Sequence, residues 1–362
     1  MGAILILEDG RTFTGDAFGA VTTRVGEAVF NTAMSGYQEI LTDPSYAEQV
    51  MTMTASHIGN TGVNDVDAES DRVWVSALIV RSLSRAPSNW RSTGGLHQYL
   101  KSAGVPGMQG LDTRALVRHL RSRGAMKCVV STDGTPEARL REQLAAWPGM
   151  AGRDLASEVS TKSAYVYADP AEPTVRLAVV DGGSKRNILR MLEQAGAYVR
   201  VHPIHDPAEA WMEGVDGVLV TNGPGDPAAI PGVVDELRKV IGVLPTVGIC
   251  LGHQLLGLAL GATTYKLKFG HRGANQPVRD ERTGKVMITS QNHGFAVDRG
   301  SLEAAGAMVS HLHLNDQTVS GFVHADRRVF AVQFHPEACP GPHDTSTVLL
   351  HDFIDFVRGV SA

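Results

Sequence analysis

The sequence predicts an α/β protein, with an N-terminal α+β domain followed by a doubly wound, mostly parallel sheet. From Val175 onward, strand-like and helix-like segments alternate regularly, which is the pattern of a parallel sheet with crossover helices. Before residue 150, both kinds of segment occur without this alternation. The length of 362 residues is enough for two domains of ordinary size.

The first domain is expected to span residues 1–150. Its opening, ILILEDGRTFTG, is typical of two short strands around an Asp-Gly turn. The segment TRALVRHLRSRG places Leu116 and Leu120 at helical spacing, with arginines on the opposite face. Residues 151–174 are polar, contain two prolines and show no sustained period, so we predict a linker there.

The second domain is expected to span residues 175–362. VRLAVVD predicts a strand, KRNILRMLEQAGA predicts a helix, and three further strands are predicted at YVRVHPI, GVLVTNG and PTVGIC. Ligands of a doubly wound sheet bind beyond the carboxyl ends of its strands. The functional site of this domain is therefore expected where these strands end.

The composition excludes several classes of protein. With 43% hydrophobic and 20% charged residues, the chain is expected to be globular and soluble, and a net charge of -5 offers no basic surface for nucleic acid or an anionic membrane. The start, MGAILILEDGRTF, has no basic leader, so we expect a cytoplasmic protein. Three cysteines without a CxxC pair predict neither a disulfide framework nor a cysteine-based zinc site, and we predict no bound metal.

Cys250 lies where the predicted strand PTVGIC meets the predicted helix LGHQLLGLALG. The pattern from Gly248 to Gly252 is the thiol counterpart of the G-x-S-x-G nucleophile elbow, a strained turn that exposes its nucleophile. The following helix N-terminus favours the reactive thiolate, and the N–H of Leu251 is expected to face an oxyanion. Free cysteines are often inert packing residues, so the pattern alone leaves both interpretations open.

A base for this thiol is available 85 residues later, in RVFAVQFHPE. The apolar strand ends at His335, which lies at the same sheet edge as Cys250 if both strands are parallel. Glu337 is placed to accept a hydrogen bond from the imidazole and to fix its direction. On its own, a His-Pro-Glu turn is better explained as a polar strand end; its pairing with the cysteine turn favours the catalytic interpretation.

The segment GVLVTNGPGDP predicts another strand that ends in a glycine-rich turn. Gly223 and Gly225 allow close approach of a substrate, and backbone N–H groups of such a loop stabilise developing negative charge. The loop lacks the Lys-Ser/Thr of a P-loop and the spacing of a dinucleotide fingerprint. We therefore predict no ATP or NAD site there.

Taken in order, GPGDP, GICLGHQ and FHPE resemble the class I glutamine amidotransferases of the Cys-His-Glu type. The resemblance implies that Cys250 attacks the carboxamide of L-glutamine, that His335 is the general base and acid, and that Glu337 orients it. It also implies an oxyanion hole formed by the N–H groups of Leu251 and Gly223. Ammonia leaves first in that chemistry, and water then cleaves the γ-glutamyl thioester.

The chain as a whole resembles the small-subunit family of carbamoyl phosphate synthetases. The segments that carry this resemblance are EAVFNTAMSGYQEILTDPSYAEQVMTMTASHIGNTGVN, GVPGMQGLDTRALVRHLRSRGAM, FGHRGANQPV and SQNHGFAVD. The resemblance implies a separate large subunit, contacted by the N-terminal domain, that binds ATP and Mg²⁺ and receives the ammonia, with no cofactor in this chain. The implied glutamine-binding residues are Ser45, Gly223, Gly225, Leu251, Gln254, Asn292, Gly294 and Phe295.

Three positions depart from the pattern of that family. DGGSKRNILR stands where an aromatic and a hydrophobic residue are expected, Ser56 stands where proline is common, and Cys339 replaces a serine. None of these changes removes a catalytic group. We interpret Cys339 and Cys128 as structural.

Other functions stay open at this point. One is a free-standing Cys-His-Glu hydrolase of γ-glutamyl bonds, another is the amidotransferase subunit of a different synthase, and a third is a catalytically inactive binding module. The sequence has no ATP-binding signature, yet carbamoyl phosphate synthesis requires ATP. This favours a chain that works with a partner.

Overall fold

The computed structural model describes residues 2–359, with residues 347–349 described in their backbone alone. The chain divides after Ala151 into two compact units, each with its own sheet and hydrophobic core. Met1 and residues 360–362, which are the outer ends of the two expected domains, lie outside the described residues.

The first unit contains strands β1 to β9. Their bounds are Gly2–Leu7 (β1), Thr12–Gly19 (β2), Thr23–Asn31 (β3), Gln49–Met53 (β4), His57–Ile58 (β5), Ala77–Ile79 (β6), Ser82–Leu83 (β7), Pro106–Gln109 (β8) and Met126–Ser131 (β9). All except β5 and β7, which pair with each other, close into a barrel in the order β1-β2-β8-β6-β4-β3-β9. The run β3-β4-β6-β8 is parallel and the other barrel neighbours are antiparallel.

Helices pack around this barrel. They are Tyr37–Thr42 (α1), Leu96–Ser102 (α2), Thr113–Arg123 (α3) and Glu137–Ala146 (α4), with a short 3-10 helix at Pro44–Tyr46. α3 is the helix predicted from the sequence: Leu116 and Leu120 are buried in the core, and Asp112 caps its N-terminus. The predicted hairpin is also confirmed, because β1 and β2 pair antiparallel around the Asp-Gly turn.

The second unit contains strands β10 to β19. Their bounds are Tyr165–Ala168 (β10), Arg176–Asp181 (β11), Tyr198–Pro203 (β12), Gly217–Val220 (β13), Thr246–Ile249 (β14), Thr264–Asp280 (β15), Val286–Val297 (β16), Met308–His313 (β17), Val319–His324 (β18) and Val329–Val332 (β19). They form one sheet in the order β10-β12-β11-β13-β14-β19-β18-β17-β15-β16. The central run from β12 to β19 is parallel, as the alternating sequence pattern predicts. The antiparallel strands on both sides of it were not predicted.

Helices cover both faces of the parallel run. They are Ala156–Val159 (α5), Arg186–Gln194 (α6), Ala208–Met212 (α7), Pro231–Val240 (α8), Leu251–Leu260 (α9), Arg299–Ala304 (α10) and Ser346–Arg358 (α11), with a 3-10 helix at Pro227–Ala229. Along β13, Val218 and Val220 join the core under α7, α8 and α9, whereas Leu219 joins the core under α6 and α11. Among the helices within residues 2–359, none combines the length and apolar character that a membrane crossing requires.

The segment predicted to be a linker has regular structure in the second unit. It contains α5 and β10, and β10 pairs antiparallel with β12 at the edge of the sheet. Tyr165 and Val166 are exposed there. An edge strand with exposed side chains lacks the apolar pattern of a buried strand, which is why the sequence pattern did not identify it.

Candidate active site

Three turns meet at the carboxyl edge of the parallel strands. β13, β14 and β19 are neighbours in the sheet and run parallel, so the turns that follow them emerge side by side. These turns carry Gly223, Cys250 and His335. The parallel arrangement on which the meeting of the cysteine and the histidine depends is therefore confirmed.

Cys250 is held in a strained turn between β14 and α9. Its φ of 54° and ψ of -100° lie in a region that residues other than glycine rarely adopt. Its N–H donates to the carbonyl oxygen of Val332 at 2.9 Å, which ties the turn to β19. Because α9 begins at Leu251, the positive end of the helix dipole lies at the cysteine.

Close backbone packing requires the two glycines beside the cysteine. A Cβ atom at Gly248 would lie 2.7 Å from Cδ1 of Leu256, and one at Gly252 would lie 2.1 Å from the carbonyl oxygen of Val220. Both distances are shorter than van der Waals contact. The first turn of α9 therefore packs directly against the end of β13.

Replacing Gly252 with alanine is expected to lower the free energy of unfolding by about 3 kcal/mol, because the obstructing atom at Val220 belongs to the backbone and cannot rotate away. Gly232→Ala, near the start of α8, is the matched control, since a Cβ there meets no atom within 4 Å. This control should stay within about 1 kcal/mol of the parent. Urea unfolding measures both variants, and equal midpoints would contradict the packing described here.

His335 and Glu337 form a buried hydrogen-bonded pair. Nδ1 of His335 lies 2.6 Å from Oε1 of Glu337, and both side chains are fully buried. The N–H of His335 also donates to the carbonyl oxygen of Ser290 at 2.9 Å, which fixes the turn against β16. Since the carboxylate accepts the proton at Nδ1, the other ring nitrogen, Nε2, is the one available for chemistry.

Opposing charges set the protonation of this pair. Burial and the Lys185 ammonium disfavour a charged His335, but the negative charges of Glu337 and Cys250 outweigh them and raise the pKa of His335 to about 9. For Glu337, burial raises the pKa, but the charges of Lys185 and His335 outweigh it, and the pKa falls to about 2. At neutral pH the pair is therefore an imidazolium beside a carboxylate.

The remaining nitrogen of His335 points into the site. Nε2 is buried and makes no hydrogen bond to any of the described residues. The charge of Cys250 contributes to the raised pKa of His335, so the sulfur lies close enough to the imidazole for the two charges to interact. The cysteine and histidine that the sequence motifs single out are thus brought together.

Lys185 is a candidate functional residue that the sequence analysis did not identify. Its ammonium lies 3.0 Å from Oε1 of Glu337, and its side chain is 9% exposed. Nδ2 of Asn187 donates to the backbone carbonyl of Glu337 at 2.5 Å. The segment SKRNILR, which departs from the family pattern, thus contacts Glu337 through Lys185 and Asn187. The sequence offers one indication of this role, because the segment follows the end of β11 at the same sheet edge.

The thiol also lies next to the QNHGF segment (residues 291–295) of β16. Sγ of Cys250 lies 3.6 Å from the carbonyl oxygen of Asn292. Nε2 of Gln254, in the first turn of α9, donates to the carbonyl oxygen of Phe295 at 2.8 Å. Gly294 lies between these two anchored residues. The structure therefore places Asn292 beside the sulfur and ties Gln254 of α9 to Phe295 of the same segment.

His293 anchors the QNHGF segment from behind. Its Nδ1 lies 2.7 Å from the carbonyl oxygen of Phe295, and its Nε2 lies 3.2 Å from Nδ1 of His271. Burial lowers the pKa of His293 well below its ordinary value. Its Nε2 also lies 2.9 Å from Oε1 of Gln291, so both ring nitrogens contact residues of the QNHGF segment.

The GPGDP loop (residues 223–227) packs against the start of α9. A Cβ at Gly223 would lie 2.0 Å from the carbonyl oxygen of Gly182 and 2.8 Å from Cδ2 of Leu251. The N–H of Leu251 lies in the first helical turn, where N–H groups have no intrahelical partner. Gly225 has a φ of +93°, and a Cβ there would lie 2.8 Å from the carbonyl oxygen of Arg153. The loop thus brings its backbone to the cysteine turn, as an oxyanion site requires.

Three other residues are singled out in the sequence. Ser45 belongs to the first unit, where it is buried in the 3-10 helix and its N–H donates to Oδ1 of Asp43 at 2.9 Å; its contact with glutamine stays a prediction. Cys128 is buried in β9, and burial and the charge of Glu27 raise the pKa of its thiol, as expected for a structural cysteine. Cys339 is exposed.

Two protein-family models match the chain, one in each unit. The model described as "Carbamoyl-phosphate synthase small chain, CPSase domain" matches residues 5–130. The model described as "Glutamine amidotransferase class-I" matches residues 178–355, which include the cysteine, the histidine and the glutamate of the site.

Curated relatives match over nearly their whole length. The carbamoyl phosphate synthase small chain of Syntrophotalea carbinolica is 48% identical over 371 residues, covering 99% of this chain and 98% of the relative. That of Streptomyces avermitilis is 48% identical, covering 99% and 97%, and that of Thermosynechococcus vestitus is 46% identical, covering 98% and 96%. The chain belongs to the carbamoyl phosphate synthase small chain family.

Proposed function

We propose that this chain is the glutamine-hydrolysing subunit of a carbamoyl phosphate synthase. It releases ammonia from L-glutamine and passes it to a large chain, which binds ATP and Mg²⁺ and makes carbamoyl phosphate from bicarbonate. The observation that carries the proposal is the buried His335–Glu337 pair beside a cysteine in a strained strand-to-helix turn. Full-length similarity to carbamoyl phosphate synthase small chains supports the choice of synthase.

The first half of the reaction breaks the amide bond of glutamine. The Cys250 thiolate attacks the carboxamide carbon, and the N–H groups of Leu251 and Gly223 stabilise the oxyanion. The His335 imidazolium donates its Nε2 proton to the departing nitrogen, so the C–N bond breaks and ammonia leaves. A γ-glutamyl thioester stays on the sulfur. The raised pKa of His335 suits this step, because it keeps the acid protonated at neutral pH.

The second half releases glutamate. The now neutral His335 takes a proton from water, the resulting hydroxide attacks the thioester carbon, and the C–S bond breaks. The cycle returns a thiolate and an imidazolium. Glu337 keeps the ring in the correct tautomer throughout and stabilises its positive charge.

Ammonia that escapes into neutral water is protonated and loses its nucleophilicity. A subunit that makes ammonia for a partner therefore gains from direct transfer. Glutamine is the proposed substrate of the second unit, and we assign the first unit to contact with the large chain. Gln254, Asn292, Gly294, Phe295, Gly225 and Ser45 are the proposed glutamine contacts that accompany the oxyanion donors.

Isotope competition in the assembled enzyme tests this function. The chain is combined with a large chain and supplied with ATP, bicarbonate, glutamine labelled with ¹⁵N in its amide, and unlabelled ammonium. We expect carbamoyl phosphate to carry predominantly ¹⁵N. Label that equilibrates fully with the ammonium pool, with glutamine turnover unchanged by the large chain, would instead establish a free-standing hydrolase.

A further inference from the structure

A second cluster of polar side chains lies on the far side of the QNHGF segment from the thiol. His271 is in β15, His313 ends the neighbouring strand β17, and Asp316 follows in the turn before β18. One donor atom from each of the three lies within 4.8 Å of the others. His271 and His313 are buried, whereas the Asp316 side chain is 40% exposed, so the cluster reaches the surface of the unit.

The two distances from the histidines to the carboxylate in this cluster match those between neighbouring ligands of one metal ion. Nε2 of His271 lies 2.8 Å from Oδ2 of Asp316, and Nδ1 of His313 lies 3.2 Å from Oδ1 of the same carboxylate. With metal–ligand bonds of about 2.0–2.2 Å, adjacent ligand atoms are roughly 3 Å apart. Two imidazoles and a carboxylate are a donor set suited to Zn²⁺ and related divalent ions.

The second nitrogen of each histidine is also held, as is usual for metal-binding histidines. Nδ1 of His271 lies 3.2 Å from Nε2 of His293. Nε2 of His313 lies 3.0 Å from Oε1 of Gln276. In the tautomers that carry the proton on these outer nitrogens, the nitrogen that faces Asp316 has a lone pair. That is the form of imidazole that binds a metal.

Three further contacts support this tautomer of His313 and fix the carboxylate. The backbone N–H of Asn315 points to Nδ1 of His313 at 3.3 Å, and an N–H donates only to an unprotonated ring nitrogen. The N–H and the hydroxyl of Thr318 donate to Oδ1 of Asp316 at 3.2 Å and 2.9 Å. Nδ1 of His313 thus carries a lone pair beside an oriented carboxylate, an arrangement that a bound cation stabilises.

We propose that His271, His313 and Asp316 bind a divalent transition-metal ion, with Zn²⁺ as the best match to the donors. The spacing of the cysteines predicts no metal site. The histidines of this cluster lie on different strands, so no local sequence pattern joins them. In the structure, the rings of His271 and His313 stack 4.0 Å apart at an angle of 4°. Imidazole binds metal in the plane of its ring, so binding is expected to turn the rings out of this stack.

Zinc titration of the full-length chain tests the site. The parent carries Cys250→Ser and Cys339→Ser, which remove the thiols that would compete for zinc, since the remaining cysteine, Cys128, is buried. After treatment with a chelator, calorimetry should show one Zn²⁺ per chain. His313→Asn and Asp316→Asn should each weaken binding by about tenfold or more, whereas His351→Asn, which changes an exposed histidine in α11, should not.

Binding of unchanged affinity in both ligand variants would overturn the proposal, as would the absence of saturable binding to the parent. Asp316→Asn removes charge from a half-exposed side chain, so its fold is expected to persist and thermal unfolding in chelator verifies this. Zn²⁺ should also raise the unfolding temperature of the parent but not of Asp316→Asn.

A metal ion in this cluster is also expected to affect the neighbouring QNHGF segment. His271 contacts His293, so an ion at His271 is expected to change the KM for glutamine in the wild-type complex and not in Asp316→Asn. This kinetic readout rests on the proposed glutaminase function, whereas calorimetry does not. Zinc binding without a KM effect in an enzyme that hydrolyses glutamine would confirm the site and contradict its coupling to the substrate segment.

Discussion

Cys250→Ser is expected to abolish glutamine-dependent carbamoyl phosphate synthesis, with a fall in kcat of about 10³-fold or more, while synthesis from added ammonia continues. Serine keeps the shape of the side chain, but its hydroxyl is far less acidic than a thiol. The imidazolium of His335 would then face a neutral group rather than a thiolate, and no covalent intermediate would form. Ammonia bypasses this step, because it enters the reaction after glutamine hydrolysis.

The measurement uses the assembled enzyme with each nitrogen source in turn. Cys339→Ser is the matched control, since it makes the same chemical change at an exposed cysteine only four positions beyond His335 in the sequence. This control should keep both activities. Loss of both activities in Cys250→Ser would indicate a failure of assembly, and retention of glutamine-dependent synthesis would show that the cysteine is not the nucleophile and that the site binds without catalysing.

The central part of this site could be predicted because its residues follow strands that are visible in the sequence. β13, β14 and β19 are buried on both faces, so each is a continuous apolar run whose end marks a turn. Cys250 and His335 stand at two of those ends. To predict that these two residues meet, it is enough to assume that the strands are parallel.

Other features depend on contacts that no local pattern reveals. Lys185 follows a predicted strand end, but its distance of 3.0 Å from Glu337 depends on the sheet that brings both residues to one edge. His271 and His313 are 42 positions apart, and only the folded chain stacks their rings 4.0 Å apart. The barrel of the first unit likewise closes through pairs distant in sequence, such as β1 with β9.

Glu337→Gln is expected to lower the pKa of His335 by about one to three units from its value near 9, and to lower kcat by about 10²-fold or more. The carboxylate charge favours the imidazolium, and its removal takes away one of the two negative charges that oppose Lys185. A lower pKa means that the ring loses its proton at a lower pH. The alkaline limb of kcat/KM, where the proton donor is lost, should therefore move to lower pH.

The pH profile of kcat/KM for glutamine hydrolysis between pH 6 and pH 10 measures this shift. Glutamine has its own amino group that titrates in this range, but its effect is common to all variants and cancels in the comparison. Glu303→Gln, at a half-exposed glutamate of α10, makes the same change away from the site and should leave the profile unchanged.

Lys185→Met is expected to shift the pKa of His335 in the opposite direction. The ammonium disfavours the imidazolium, so its removal should raise the pKa of His335 and move the alkaline limb to higher pH. A general loss of structure would not move the limb in opposite directions in the two variants. If the limb stays in place in both, then the charges around Glu337 do not control the proton on His335, and the assignment of His335 as the acid that releases ammonia fails.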